Sequence, residues 1–343
     1  MQDYSTTPAV AGTSDLGPVR AIGQVANEAA RQHVFDDYRS RKATSTLHAQ
    51  HADLGVFCAY LRHVQVLVDV DELVSKPDAW QGMTWGLVEG FIKWMLAEGY
   101  AIGSVNRKLS TVQSYCKLAA KAGTIPADEL AMICIVSGYG QQEGRRVDER
   151  RQTARLGTKK ADHVSLSVEE ANQLKFQPAT PQGRRDALLM ALLLDHGLRV
   201  GEVVLLQVTD FDLAASTFTF YRPKVDATQT HRLTRDSKRA VSDWFDSGDA
   251  PAMGPLLRGS RKGGALTEAG MNRQAISARV RRLGEEIGIE GLSAHDCRHY
   301  WATRAAAMGT DVMKLKDAGG WSSLAMPMRY VEAAAIANEG VRL

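Results

Sequence analysis

The residues best suited to chemistry lie near the C-terminal end of the chain. The 36 residues from His295 to Tyr330 contain histidine, arginine, tryptophan and tyrosine side chains separated by apolar turns. An imidazole can exchange a proton near neutral pH, a guanidinium holds phosphate through a planar fork of N–H groups, and a phenol can act as a nucleophile. His295 and Arg298 are three residues apart, so they share one face if this stretch is helical.

Three helices are predicted to position these groups. Good helix formers run from Ala294 to Met308, and a second helix from Asp311 to Ala318 closes on a glycine pair. Pro327 is expected at the first position of a third, short helix, because its missing N–H costs nothing there. That would place Tyr330 in the first turn, where the helix dipole favours a phenolate or a bound phosphate.

An arginine and a glutamate upstream form a second candidate group. A helix predicted from Gln182 to His196 stops at Gly197, and Arg199 then begins a new helix with Glu202 one turn on. Taken alone, the two charges would be a surface ion pair worth roughly 0.2–0.5 kcal/mol.

A β-hairpin is predicted after this helix. Residues 217–221 and 230–233 alternate in the manner of strands, which puts Lys224 near the tip of the hairpin. Arg222 lies two residues before it and is the nearest competitor for any role assigned to a hairpin cation.

Taken in order, these motifs resemble those of a known family. The sequence His295-x-x-Arg298-His299, then Gly-Gly-Trp321 and Tyr330, resembles the C-terminal signature of the tyrosine recombinases, or phage integrase family, and Gly-Leu-Arg199-Val-Gly-Glu202 resembles the first motif of that family. Trp321, where most members carry a second histidine, is similar to the Cre branch. The resemblance implies an α+β fold, mainly α with a small β-sheet. A helical core-binding bundle and a catalytic domain would together form a C-shaped DNA clamp.

The resemblance also implies how strand cleavage would work. Tyr330 would attack the scissile phosphate, and Arg199 and Arg298 would hold its nonbridging oxygens. Lys224 would reach the phosphate and protonate the departing 5′-oxygen, and the indole N–H of Trp321 would donate a hydrogen bond to a phosphate oxygen.

Three further residues are expected to support these groups. His295 is the candidate for taking the phenolic proton, and Glu202 is expected to orient Arg298 or His295 from behind. His299 is expected to pack structurally and to point away from His295 and Arg298.

Four segments are predicted along the chain. Residues 1–30 lack periodicity and are expected to be a disordered tail, and apolar stripes over 31–140 predict four or five short helices of a core-binding (SAM-like) DNA-binding domain. Residues 141–162 are basic without an apolar stripe and are expected to be the interdomain linker. Residues 163–343 would form the catalytic domain.

Local charge suggests where DNA could bind. Residues 145–160 hold seven basic and two acidic side chains, and residues 258–282 hold seven basic and one acidic; such patches suit a polyanion, although solvated helix faces would look similar. The candidates for DNA contacts are Arg107, Lys108, Lys117, Lys121, Arg145, Arg146, Arg150, Arg151, Arg155, Lys159, Lys160, Arg273, Arg279, Arg281 and Arg282.

Composition argues against several other classes of protein. The formal net charge is only +3, so bulk charge does not identify a partner. Four cysteines without paired or metal-ligand spacing predict reduced thiols and no metal site, and Cys297 is expected to face the core.

The longest apolar run, Ala187 to Leu194, is too short to cross a bilayer, and with no signal-peptide pattern we expect a cytoplasmic protein. The GxxxxGK[ST] phosphate-binding motif is missing from the sequence, so neither ATP nor another cofactor is expected.

These observations together predict a site-specific DNA recombinase. It would cut and rejoin strands through a 3′-phosphotyrosyl intermediate and a Holliday junction, without ATP or metal. Its partners would be double-stranded DNA with an inverted-repeat target and three further copies of the chain, forming a homotetramer on two duplexes. Two alternatives stay open: a type IB topoisomerase that relaxes supercoils, and a DNA-binding homologue without catalytic activity.

Overall fold

The computed structural model describes residues 17–151, 163–261 and 263–334. The chain divides into two compact units, Met1–Lys159 and Lys160–Leu343. Each unit has its own hydrophobic core. The assignment of DNA-binding and catalytic roles to separate domains stays a prediction.

The described part of the first unit is helical. Its helices are α1 (Gly17–Gln32), α2 (Val34–Ser40), α3 (Thr44–His63), α4 (Val70–Ser75), α5 (Trp85–Ala97), α6 (Ile102–Ala122), α7 (Ala127–Ile135) and α8 (Gln141–Arg150), with a 3₁₀ turn at Pro77–Trp80. The Thr84 hydroxyl caps α5 by accepting the Leu87 N–H, and Gly123, with φ of +91°, ends α6. Trp80 is fully buried and stacks on Phe57 in the centre of the unit.

Two segments that were expected to be irregular are helical. Residues 17–30 of the predicted tail belong to α1, an alanine-rich helix whose Val19 and Ile22 remain exposed; helix propensity therefore outweighs the lack of a buried stripe. The first half of the predicted linker forms α8, which packs Gly144 against Ile102 and is capped by Glu143 at its first turn. Residues 1–16 and 152–162 lie outside the described residues.

The second unit surrounds a long buried helix with helices and two small sheets. Its elements are α9 (Val168–Lys175), α10 (Pro181–His196), α11 (Val200–Val203), β1 (Phe211–Asp212), β2 (Thr217–Arg222), β3 (Ala227–Arg232), α12 (Arg235–Asp246), β4 (Arg258–Ser260), β5 (Leu266–Gly270), α13 (Arg273–Glu286), α14 (Ala294–Ala307), α15 (Val312–Gly319) and α16 (Ala325–Ala334). Strands β1, β2 and β3 form one antiparallel sheet in that order, and β4 pairs with β5. The predicted class, mainly α with small sheets, is confirmed.

Helix α10 provides most of the central core. Residues 188–194 are all buried, which is why this segment reads as a continuous apolar run. The helix packs against α12 and against α14, which carries Arg298, and Arg199 follows the last residue of α10 by three positions. Cys297 is fully buried in the same core, as predicted.

The region before α13 is a β-hairpin. Strands β4 and β5 pair antiparallel, and the helix begins after them at Arg273. Gly264, with φ of +85°, allows the tight turn between the strands, and Asn272 caps α13 through the Ala275 N–H. The glycines therefore belong to a hairpin turn.

Candidate active site

Arg199 is held at the start of α11 by the glutamate one turn further on. Glu202 Oε2 accepts the backbone N–H of Arg199 at 2.8 Å, and Glu202 Oε1 accepts its Nη1 at 2.8 Å. The glutamate side chain is 2% exposed, while that of Arg199 is 24% exposed. The carboxylate thus fixes one side of the guanidinium, and the exposed part of the guanidinium stays open to a ligand.

Arg298 lies deeper, on α14. It donates Nη1 to the carbonyl of Gly197 and Nη2 to the carbonyl of Gly319, both at 2.5 Å. Burial lowers the pKa of Arg298 to about 9, and the positive charge of Arg199 acts in the same direction. The guanidinium stays charged at neutral pH, so two fixed positive charges face this region.

Both arginines donate hydrogen bonds to backbone carbonyls at the end of α15. Gly320 takes φ of +59° as the C-cap, which turns the last carbonyls of the helix toward the arginines. The Gly319 carbonyl accepts Arg298, and the Gly320 carbonyl accepts Arg199 Nη2 at 3.1 Å. Residues 199, 298 and 320 are distant in sequence, and the fold brings them to one place.

Trp321 connects Arg298 with Tyr330. The Arg298 guanidinium carbon lies 4.3 Å from the centre of the Trp321 ring, and the Trp321 and Tyr330 ring centres are 5.8 Å apart. A Cβ on Gly319 would lie 1.9 Å from Trp321 Cζ3, so only glycine leaves room for the indole here. The tryptophan therefore packs as a core residue and also borders the site.

Tyr330 lies in α16, two residues further from the start of the helix than predicted. Helix α16 begins at Ala325, so Pro327 is its third residue and Tyr330 its sixth. Proline fits anywhere in the first turn, because none of those N–H groups has a partner within the helix. Tyr330 is 6% exposed; burial raises the pKa of its phenol, and Arg298 lowers it less strongly. The resting phenol is therefore protonated and needs a base.

Three histidines lie in a row beside Tyr330. The ring of His299 is 5.3 Å from that of Tyr330, and His299 Nε2 is 3.1 Å from His295 Nε2. His163 stacks on the other side of His299 at 4.8 Å. His299 was expected to point away, but residues four apart share a helix face, so it lies next to His295. Burial, followed by the charges of His295 and His163, lowers the pKa of His299 to about 4.

The hairpin places Arg222, rather than Lys224, in this cluster. Lys224 is exposed in the four-residue turn between β2 and β3, so its predicted contact with phosphate stays a prediction. Arg222 is fully buried, and its Nη1 contacts both carboxylate oxygens of Glu202. Phe218, Phe220 and Arg222 alternate along β2, so all three side chains point inward. This two-residue period could have predicted that Arg222 is buried.

The predicted DNA contacts fall into three groups. The exposed candidates are Arg107, Lys117, Lys121, Arg145, Arg146, Arg150, Arg273, Arg281 and Arg282. Three others are engaged within the protein. Lys108 is 6% exposed beside Asp53, Arg151 donates to the Tyr100 carbonyl, and Arg279 pairs with the buried Asp186. Arg155, Lys159 and Lys160 lie outside the described residues.

Lys108 is the clearest of these corrections. It shares the buried face of α6 with Val105 and Leu109, and its ammonium lies 5.2 Å from the ring of Tyr100. Burial lowers the pKa of Lys108 although Asp53 opposes the shift. By contrast Arg107, 52% exposed, donates to Asp53 Oδ2 at 2.6 Å and keeps a solvent-facing guanidinium.

In the ranges that the structure describes, each helix is too short or too polar to cross a bilayer. The same ranges contain no group of three or more His, Cys, Asp or Glu side chains arranged to hold a metal ion.

Comparisons with known proteins identify the family. The phage integrase family matches residues 165–336. The tyrosine recombinase XerC of Roseiflexus sp. is 23% identical over 311 residues, covering 88% of this chain and 87% of the relative. XerC of Mycobacterium tuberculosis is 24% identical, with 88% and 93% covered.

Solved structures show the same fold at low sequence identity. A lambda integrase dimer bound to a core site has a TM-score of 0.60 at 13% identity, covering 96% of this chain and 84% of that one. The Tn1549 transposon integrase in complex with transposon right end DNA has a TM-score of 0.59 at 15% identity, with 87% and 93% covered. The chain therefore belongs to the phage integrase family and is a tyrosine-type site-specific recombinase.

Proposed function

We propose that this protein cuts and rejoins DNA strands at a specific site through a 3′-phosphotyrosyl intermediate. The observation that carries the proposal is the convergence of Arg199, Arg298, Glu202 and Trp321 beside the buried Tyr330. The XerC relatives are named as tyrosine recombinases, and the two integrases compared above are described as bound to DNA.

The cleavage step balances as a transesterification. The Tyr330 oxygen forms a bond to phosphorus while the bond from phosphorus to the 5′-oxygen breaks. A histidine of the His295–His299 pair accepts the phenolic proton, and Lys224 supplies a proton to the 5′-oxygen. The bond energy is kept in the phosphotyrosine, so attack by a second DNA end reseals the strand without ATP.

Fixed cations would stabilise the transition state. Negative charge grows on the two nonbridging oxygens, and donors that are already in place lower the barrier because they need no reorganisation. Arg199 is partly open, whereas Arg298 is held by two carbonyls, so Arg199 is the group placed to meet the phosphate first. Two arginines and a lysine would supply the positive charge for this step.

The finer features of the mechanism form part of the proposal. We infer that four copies act on two duplexes with inverted-repeat targets, that the two units close on DNA as a clamp, and that strands exchange through a Holliday junction. Trp321, packed on Arg298, would take the position of a second histidine as in the Cre branch. The proposed setting is the cytoplasm, where DNA is accessible.

Plasmid assays test the proposal against topoisomerase activity. Inverted repeats from the DNA flanking the gene would be cloned in pairs and incubated with the protein in EDTA without ATP. Recombined circles are expected, and a supercoiled plasmid without the repeats should stay supercoiled. Efficient relaxation of that second plasmid would favour a type IB topoisomerase, and binding to the repeats without any cleavage would favour an inactive homologue.

A further inference from the structure

Arg222 is a buried cation beside the site, and all three nitrogens of its guanidinium donate hydrogen bonds. It is the last residue of β2 and is 0% exposed. Its Nε donates to Gln229 Oε1 at 2.6 Å, and its Nη2 donates to the Ala318 carbonyl at 2.6 Å. Its Nη1 lies 3.0 and 2.9 Å from the two oxygens of Glu202. One side chain thus joins the hairpin to α11 and to the C-terminal end of α15.

Arg222 shares an acceptor with each of the two other arginines. Glu202 Oε1 receives both Arg222 and Arg199 Nη1, the latter at 2.8 Å. The Gly319 carbonyl receives Arg222 Nη1 at 3.3 Å and Arg298 Nη2 at 2.5 Å. Any shift of Arg222 would therefore move the acceptors that aim Arg199 and Arg298.

Stability alone does not explain this arrangement. Apolar side chains of similar volume often replace a buried ion pair without loss of stability, and Arg222 already lies 4.7 Å from the ring of Phe220. Here two guanidinium groups, those of Arg199 and Arg222, contact the carboxylate of Glu202, and that of Arg298 shares the Gly319 carbonyl with Arg222, which leaves an excess of positive charge. Burying such an excess is costly for folding but suits a site that receives an anion.

We propose that Arg222 is a positioning residue for strand cleavage: it fixes Glu202 and the Gly319 carbonyl so that Arg199 and Arg298 are aimed at the scissile phosphate. The inference rests on the proposed function. Its role is distinct from that expected of Lys224, because Arg222 is fully enclosed by protein and acts through the two arginines.

The test separates cleavage from binding. Arg222→Met keeps the length and apolar stem of the side chain but removes the guanidinium. On a nicked suicide duplex carrying the target, the single-turnover rate of adduct formation should fall about 100-fold, the scale for losing one preorganised donor. The Kd for the same duplex should stay within about twofold, because Arg222 does not reach the DNA.

Two further variants make the result interpretable. Arg232→Met removes an exposed arginine from the same hairpin and should cleave at the wild-type rate. Arg222→Lys restores the charge but not the fork of donors, so it should recover a part of the loss, to about tenfold below wild type. Rates are measured at a temperature at which melting curves show all variants folded. If Arg222→Met does not fold, the comparison of Arg222→Lys with wild type tests the inference.

The outcomes distinguish this inference from the proposed function. A wild-type protein that forms no adduct refutes the proposed function. A wild-type adduct together with an undiminished rate in both Arg222 variants overturns only the role of Arg222. The same conclusion would follow if weaker DNA binding accounted for the whole loss.

Discussion

Replacing Glu202 by glutamine should weaken the second unit and slow cleavage together. The Glu202 carboxylate is 2% exposed and accepts four hydrogen bonds, two from Arg199 and two from Arg222. Breaking a buried ion pair costs about 3–5 kcal/mol. We expect the lower end, about 3 kcal/mol, because Arg222 keeps carbonyl partners and Arg199 can turn to water. For a domain of this size that lowers Tm by about 6–12 °C.

The assay combines thermal unfolding with single-turnover cleavage. Melting is followed by near-UV circular dichroism, and hydrogen exchange of peptides from α14 and α15 reports where stability is lost. The cleavage rate should fall about 100-fold, since the amide no longer fixes the Arg199 guanidinium.

A matched control is available on the same unit. Glu268 pairs with Arg258 at 2.7 Å but is 94% exposed, so Glu268→Gln should change stability by less than about 1 kcal/mol. If Glu202→Gln melted within a degree of wild type and cleaved normally, the buried carboxylate would not be organising the arginines, and the reasoning would be wrong.

Three further perturbations probe other parts of the structure. Gly319→Ala should cost about 1–3 kcal/mol and alter tryptophan fluorescence, because the new Cβ would lie 1.9 Å from Trp321; an unchanged spectrum and Tm would contradict the packing. Burial lowers the pKa of His196 to about 3, below the 6.5 of an exposed imidazole. The unfolded state therefore binds the proton first, so the contribution of His196 to the unfolding free energy is fully present above pH 6.5 and should fall by about 1 kcal/mol per pH unit below it. Urea unfolding at pH 7 and pH 5 measures the difference in unfolding free energy. If His196→Asn showed the same difference as wild type, the effect could not be assigned to His196. Lys117→Ala should reduce the salt slope of DNA binding by about one, while Lys108→Met should leave it unchanged; an equal loss in both would contradict the burial of Lys108.

Much of the fold could be predicted from local signals in the sequence. The Thr84 cap, the glycine stop at Gly197 and the period-two pattern of β2 each depend on a few neighbouring residues, so they could be predicted directly. The family motifs predicted Arg199, Arg298 and Tyr330, which the fold brings together.

Other features depend on contacts that a local pattern does not contain. The start of α16 depends on the turn after α15, so Tyr330 was predicted two residues too close to the start of the helix. The segment that carries His163 lies against α14 through the Val164 N–H and Asp296, a contact across distant residues that brings His163 onto His299.

Two misplaced residues did leave a signal. Lys108 lies three residues after Val105 on the buried stripe of α6, and Arg222 continues the inward alternation of β2. Lys108 was taken as exposed because it is charged, and Arg222 was considered only as a competitor of Lys224, but a partner carboxylate allows a charged side chain to be buried. Asp53 and Glu202 are those partners, and each comes from a different element of the fold.

The most direct test of the account is the identity of the residue joined to DNA. The protein is incubated with a nicked suicide duplex carrying its target, digested with trypsin, and the nucleotide-bearing peptide is sequenced by mass spectrometry. The proposed mechanism predicts a 3′-phosphate ester on Tyr330 and no adduct in Tyr330→Phe. Attachment to another residue, or an undiminished adduct in Tyr330→Phe, would contradict it.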